Sequence, residues 1–349
     1  MFIEKRKNIL SQLGEIFKNM SSEEGINLFS SFYDNIFYHN PWFTKEFVQF
    51  SLNQWSEQLS EENISDFLNG IIFNEIKNYE LPKNINNSKK IGIICAGNIP
   101  LVGLHDVVCC YLTGYLMIVK LSSKDNILMK FVLDKLIELD TEANIFYTEE
   151  RLQNFDALIA TGSNNSNKYF EYYFGKNPHL FRSNKTSVAI LTGEEYHEDL
   201  QNLSDDVFLY FGLGCRNVSK IFIPENYDFN LLGTAFQKYF YLADHHKYYN
   251  NLTYQYALLA MNQIVHVNFQ NLLLIENSNV FSPIGVLNFE YYSDINSLND
   301  RLSNNCDTIQ CVVANNNKIK KSVCFGYSQR PKLSDFADNV DTINFLLNI

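Results

Sequence analysis

Apolar residues in the first 80 positions recur at three- and four-residue steps over 7–18, 22–37, 44–58 and 62–77, the spacing of one helix face. Ser21-Ser-Glu-Glu24 has the Ser-x-x-Glu form of a capping box before the second stretch, and Pro41 separates it from the third. No catalytic constellation stands here, so the region reads as a helical layer on a core domain. Glu80 to Lys90 is a loop by composition. Beyond it the period changes. Short apolar runs at Ile91–Cys95, Tyr115–Leu121, Ala143–Thr148, Asp156–Thr161 and Ser187–Leu191 alternate with helical stretches at Leu104–Leu112, Asn126–Leu139 and Asn165–Phe174. Gly114 is placed to close the first of those helices. Buried strands alternating with helices predict a parallel, doubly wound α/β sheet. The alternation continues through Val218–Pro224 and predicts a second α/β domain. The expected organisation is an N-terminal helical region over 1–85, a Rossmann-like domain over 86–192 and a catalytic domain over 193–324. Residues 325–349 are a candidate return to the Rossmann-like domain.

Composition narrows the classes. With 46% hydrophobic and 19% charged residues in 349, the chain can build a large core. A net charge of −11 argues against nucleic-acid binding but leaves room for an anionic cofactor held by local groups. No apolar run reaches the roughly 18 residues of a membrane span, and Met1-Phe-Ile-Glu-Lys-Arg-Lys7 lacks the apolar segment of a secretory signal. The seven cysteines form no CxxC pair and no zinc-type spacing with histidine, so no metal is expected. Free thiols fit a cytoplasmic protein.

Four short segments carry candidate chemistry. The usual GxGxxG does not follow the first strand. Gly97-Asn98-Ile-Pro100 stands there instead, either a plain turn or a site where the Asn98 amide faces a developing oxyanion. The second strand ends Lys120-Leu-Ser122-Ser123-Lys124, which suits an adenosine ribose or phosphate and equally a solvated loop. Thr161-Gly162-Ser163 opens a helix, where small residues let an anion approach the N-terminus; it is also an ordinary cap. Cys215 follows Gly212-Leu-Gly214, with Arg216 and Lys220 close in sequence. Glycines leave the thiol reachable and nearby positive charge favours thiolate, yet by itself Cys215 is as readily a packing residue. Cys95, Cys109, Cys110 and Cys311 in apolar runs, with Cys306 and Cys324, read as core thiols.

Taken in order, these segments resemble the aldehyde dehydrogenase superfamily. Within it the chain is most similar to the long-chain acyl-CoA reductases, among them the fatty acid reductase of bacterial luminescence. Ala96-Gly-Asn-Ile-Pro-Leu101, Leu116–Asp125 and Phe325–Thr342 carry that resemblance, which covers about 90–349. It implies two doubly wound α/β domains, cofactor-binding and catalytic, behind an N-terminal helical region. It implies Cys215 as nucleophile, Asn98 as oxyanion donor, Lys120 with Ser122 and Ser123 at the adenosine ribose, and Gly162 with Ser163 at the pyrophosphate. The segment matching the superfamily's Glu-Leu-Gly-Gly-Lys is Leu180–Ser187, and it holds no Glu to activate a deacylating water. The implied activity is therefore reduction of a fatty acyl-CoA or acyl-protein to the aldehyde, with CoA as leaving group. Lys120 and Lys124 lean toward NADPH, while NADH is also served by a Lys there. The resemblance further implies a homo-oligomer, with Asp338–Ile349 as a candidate arm, and a thioesterase or synthetase partner. Two rival readings stand: a γ-glutamyl phosphate reductase-like enzyme with a polar pocket, and a non-catalytic acyl-carrying subunit of a reductase complex.

Overall fold

The computed structural model describes residues 2–74, 89–162, 164–304, 307–315, 319 and 321–349. Ser163, Cys306 and the expected loop up to residue 88 lie outside them. The chain divides into two compact units, Met1–Ser183 with Lys332–Ile349, and Asn184–Pro331.

Five helices lead the described part of the first unit: α1 (Phe2–Ser21), α2 (Glu23–Leu28), α3 (Ser30–His39), α4 (Lys45–Gln58) and α5 (Glu61–Asn74). The single helix expected over 22–37 is two, broken at Phe29, where ψ is 19°. The cap is Ser22 rather than Ser21, its hydroxyl accepting the Gly25 N–H at 3.0 Å. Ser21 is still inside α1 and cannot take the extended backbone that a capping residue needs; Ser22, at ψ 159°, has it.

The first sheet has five parallel strands in the order β3-β2-β1-β4-β5: β1 (Lys90–Ile94), β2 (Leu116–Lys120), β3 (Ile145–Thr148), β4 (Ala157–Thr161) and β5 (His179–Arg182). The crossovers carry α6 (Leu104–Thr113), α7 (Leu128–Leu139) and α8 (Asn164–Phe174). Gly114 closes α6 at φ 89°, a conformation glycine takes without Cβ strain. Alternation in β1 sets the two faces: Ile91 and Ile93 join the cluster built by the leading helices, α6 and α7, while Ile94 packs toward Leu158, Phe170 and Phe174. From β1 the order builds through β2 to β3, then reverses to place β4 on β1's other side. The carboxyl ends of β1 and β4 therefore flank the switch point, where open α/β sheets bind ligands.

The second unit has a six-stranded sheet in the order β11-β6-β7-β10-β9-β8. Its strands are β6 (Thr186–Ile190), β7 (Val218–Pro224), β8 (His266–Asn268), β9 (Leu273–Glu276), β10 (Val286–Tyr292) and β11 (Ile309–Val313). Only β8 runs antiparallel to its neighbour. Helices α9 (His197–Phe208), α10 (Phe229–Ala235), α11 (His246–Met261) and α12 (Ile295–Asn304) complete it. The run at Ser187–Leu191, expected as the fifth strand of the first sheet, is β6 of the second, held between β7 and β11. The fifth strand of the first sheet is β5, hidden in the sequence because His179 and Arg182 interrupt its apolar pattern. The division thus falls at Ser183, not at 192.

Residues 332–349 belong to the first unit. Leu333 and the α13 (Thr342–Leu347) residues Ile343 and Leu346 join the cluster of α1 and α6. Each such burial stabilises by about 1.5–3 kcal/mol. Buried Arg182, at the end of β5, pairs with Asp106 of α6 at 2.5 Å and donates to Thr342 Oγ1 at 2.8 Å and the Ala337 carbonyl at 2.7 Å. The segment Asp338–Ile349, a candidate oligomer arm, is thereby packed into its own chain.

Candidate active site

In the first unit, three sequence-predicted segments stand at strand ends. Asn98 lies half-buried in the turn that leaves β1. Lys120 ends β2, and its Nζ donates to the Glu149 carbonyl at 3.0 Å. Gly162 follows β4 at the start of α8. Ser122 and the β1 turn are brought together: a methyl on Gly97 would fall 2.9 Å from Ser122 Cβ and 3.0 Å from Lys124 Cβ. Gly162 is equally confined, since a methyl there would lie 2.7 Å from Ser166 Cβ. Ser123 is exposed, its carbonyl bonded by the His39 ring at 2.9 Å.

Asp125 joins these two turns and was not singled out in the sequence. It is 4% exposed, and Oδ2 accepts the Leu101 N–H at 2.9 Å. Burial pushes its carboxyl up to about 7, against the pull of the Leu101 and Met129 N–H groups. Leu101, fully buried, is left-handed at φ 57°. The leading helices contribute too: Asn40 Nδ2 donates to the Lys124 carbonyl at 3.0 Å and Ser51 Oγ to the Pro100 carbonyl at 3.2 Å. The region read as a bland helical layer therefore supports both turns.

In the second unit, Cys215 is half-buried in the loop between α9 and β7. Three consecutive left-handed residues precede it, Tyr210 (φ 55°), Phe211 (φ 57°) and Gly212 (φ 74°). Two of them are large L-residues in a conformation that costs about 1–3 kcal/mol each and persists only where the surroundings impose it. Asn217 imposes it. Only 2% exposed, it donates from Nδ2 to the carbonyls of Asp206 (3.2 Å), Val207 (3.4 Å) and Leu209 (2.7 Å), the orphan acceptors where α9 ends. Its Oδ1 accepts the Gly214 N–H at 2.8 Å and its own N–H donates to the Gly214 carbonyl at 3.1 Å. Cys215 is thus bracketed between two mutually bonded residues. Ser187 Oγ donates to the Cys215 carbonyl at 3.1 Å and lies 3.0 Å from Cys311 Sγ.

Thiol environments separate the candidates. Burial pushes Cys95, Cys109 and Cys110 far up, and Cys311 to about 11, so these stay neutral and inert near neutral pH. Cys324 is exposed. Lys220, expected to favour the Cys215 thiolate, is committed elsewhere. It is 1% exposed, and its Nζ donates to the Ser278 carbonyl at 2.8 Å and Glu290 Oε2 at 2.5 Å. Glu195 is also spent locally, accepting the Thr192 and Gly193 N–H groups at 2.5 and 3.0 Å. Among the described residues no cluster of His, Cys, Asp and Glu can hold a metal, and no helix is long and apolar enough to cross a membrane.

Two predominantly parallel α/β sheets behind N-terminal helices match the fold of solved aldehyde dehydrogenases. The chain is similar over its whole length to aldehyde dehydrogenase 21 from Physcomitrella patens, solved with the reaction product succinate, at TM-score 0.64 and 12% identity, covering 84% of that chain. It is also similar to the NADP+-bound succinic semialdehyde dehydrogenase of Streptococcus pyogenes, at TM-score 0.63 and 12% identity, over 93% of this chain and 81% of that one. The NAD+ complex of a Bacillus cereus aldehyde dehydrogenase matches at TM-score 0.63 and 11% identity, over 91% and 73%. At such identities the likeness is one of fold. No family model and no curated protein sequence matches the chain.

Proposed function

We propose that the chain is an NAD(P)H-dependent acyl-CoA reductase that carries its substrate as a thioester on Cys215. The bracketed Cys215 loop carries the reading: a half-buried thiol is held on a strained, internally bonded loop while Cys95, Cys109 and Cys110 are buried and the Cys311 thiol is pushed up to about 11. Strain of that kind concentrates where geometry serves chemistry.

In the proposed reaction the Cys215 thiolate attacks the acyl carbonyl of an acyl-CoA. Asn98 donates its amide to the oxyanion, a contribution that is typically worth 10²–10³ in rate. Collapse breaks the carbon–sulfur bond to CoA, CoA leaves as thiolate, and the acyl group stays on Cys215. Neither Glu195 nor the Leu180–Ser187 segment offers a base to activate water, so the thioester waits for reduction. The residues present fit a dinucleotide: the Gly162 backbone at the α8 N-terminus suits its pyrophosphate, and Lys120, with Ser122 and Ser123, its adenosine ribose. When bound, the nicotinamide supplies the hydride that frees the aldehyde. Lys120 and Lys124 incline the site toward NADPH over NADH. Partner enzymes that supply acyl groups, and a homo-oligomeric state, belong to the same reading.

The test is acylation. Labelled tetradecanoyl-CoA is expected to leave a hydroxylamine-sensitive adduct that Cys215→Ser abolishes. Equal labelling of that variant would sink the assignment. Oxidation of NADPH and NADH with the same acyl-CoA ranks the cofactors.

A further inference from the structure

We propose that Asp125 is the positioning residue for Asn98, holding the turn after β1 in the one conformation that presents the Asn98 amide. This rests on the reading of Asn98 and Cys215 given above. The turn contains an uncommon element, Leu101 at φ 57°, fully buried and carrying no Gly, Asn or Asp character to favour that region. Its N–H is held by a carboxylate 24 residues later, at 2.9 Å. The Leu101 carbonyl in turn accepts the Leu104 N–H at 3.0 Å, tying the turn to the first residue of α6.

The same residue closes the other turn. The Asp125 N–H donates to the Ser122 carbonyl at 3.0 Å, and Ser122 backs directly against Gly97, next to Asn98. One buried side chain thus fixes Leu101, three residues after Asn98, while its backbone fixes the surface on which Gly97 rests. Ser51 Oγ holds the intervening Pro100 carbonyl from behind. Without the Asp125 side chain, the Leu101 N–H loses the buried partner that offsets its left-handed backbone, and the turn relaxes toward ordinary φ. Asn98 then loses its fixed direction, although Asp125 itself touches no reacting atom.

The experiment measures the rate of Cys215 acylation by tetradecanoyl-CoA in the full chain. Asp125→Ala is expected to lower kcat for acylation about 10²-fold, with the KM for acyl-CoA changed less than threefold. Asp125→Asn, which keeps an oxygen for the Leu101 N–H, stays within about tenfold of the wild type. In an Asn98→Ala background the Asp125→Ala loss disappears, because its effect runs through Asn98. Ser51→Ala, a milder change to the same turn, slows acylation about fivefold and is silent in the same background; it serves if Asp125→Ala does not fold. Wild-type acylation by Asp125→Ala, or losses that simply multiply with Asn98→Ala, overturn the positioning role and leave the thioester reading standing. A wild-type chain that takes no label at Cys215 overturns both.

Discussion

The turn that carries Asn98 and the loop that carries Cys215 are anchored in opposite ways. The first follows a strand and borrows its anchor from Asp125, 24 positions beyond the bonded Leu101. The second precedes a strand and contains its anchor, Asn217, two residues after the thiol. The borrowed anchor is ionisable and bonds one left-handed residue; the built-in anchor is a neutral amide and bonds both flanks of a run of three. The Asn98 turn thus depends on a partner far along the chain, whereas the Cys215 loop depends mainly on itself.

Removing the built-in anchor tests that contrast most severely. Asn217→Ala leaves the carbonyls of Asp206, Val207 and Leu209 and the Gly214 N–H without their partner in a buried site. We expect a loss of about 3–5 kcal/mol in unfolding free energy, read by urea titration, and Cys215 labelling at least 10²-fold slower. Unchanged labelling would mean that the loop does not need its bracket.

The borrowed anchor is tested by pH. Burial raises the Asp125 carboxyl to about 7 from an unfolded value near 4. Between those values the folded chain holds the proton that the unfolded chain has lost, so the contribution of Asp125 to stability falls as pH rises and levels off above about 7. Relative to Asp125→Asn, the wild type is expected to lose roughly 1.4 kcal/mol per pH unit across that window. A constant difference from pH 4.5 to 7.5 would show a carboxyl that titrates normally. Asn217 has no such window, and an Asn217→Ala difference should be flat.

A smaller effect follows from Gly212. At φ 74°, with a methyl in ordinary contact with the Val207 carbonyl oxygen at 3.6 Å, Gly212→Ala meets mainly a conformational cost, about 1–2 kcal/mol. Smallest is Ser187→Ala, which removes one hydrogen bond to the Cys215 carbonyl. It should cost about 1 kcal/mol and slow labelling less than tenfold.

The fold was legible where apolar residues dominate a strand. Strands β1, β2, β4 and β7 are apolar runs, and Gly114 announces its helix end. Strand β5 was not legible, since it is only four residues long and its outer residues are His179 and Arg182. Local pattern is also blind to which sheet a strand joins, which is why β6 was placed in the wrong one. The candidate nucleophile and donor were reached through motif order, but their anchors were not. Asp125 looks like one more polar loop residue until Leu101 is placed beside it. Asn217 sits beside Cys215 in plain view, yet its meaning depends on where α9 ends. Lys220, which adjacency favoured, points into its own buried ion pair.

The first unit is discontinuous, and this bears on how the chain comes to be folded. Arg182 binds Thr342 across 160 positions, and Leu333, Ile343 and Leu346 fill the core that α1 begins. During synthesis the β1–β5 sheet must stand with that core open while all of 184–331 is made. The second unit, whose strands are contiguous in the chain, can mature first, and the earliest residues to emerge are among the last to be sealed. A chaperone that shields the open α1–α6 face would act in that interval, and trapping nascent chains that end near residue 331 would reveal the incomplete unit as the protease-sensitive one.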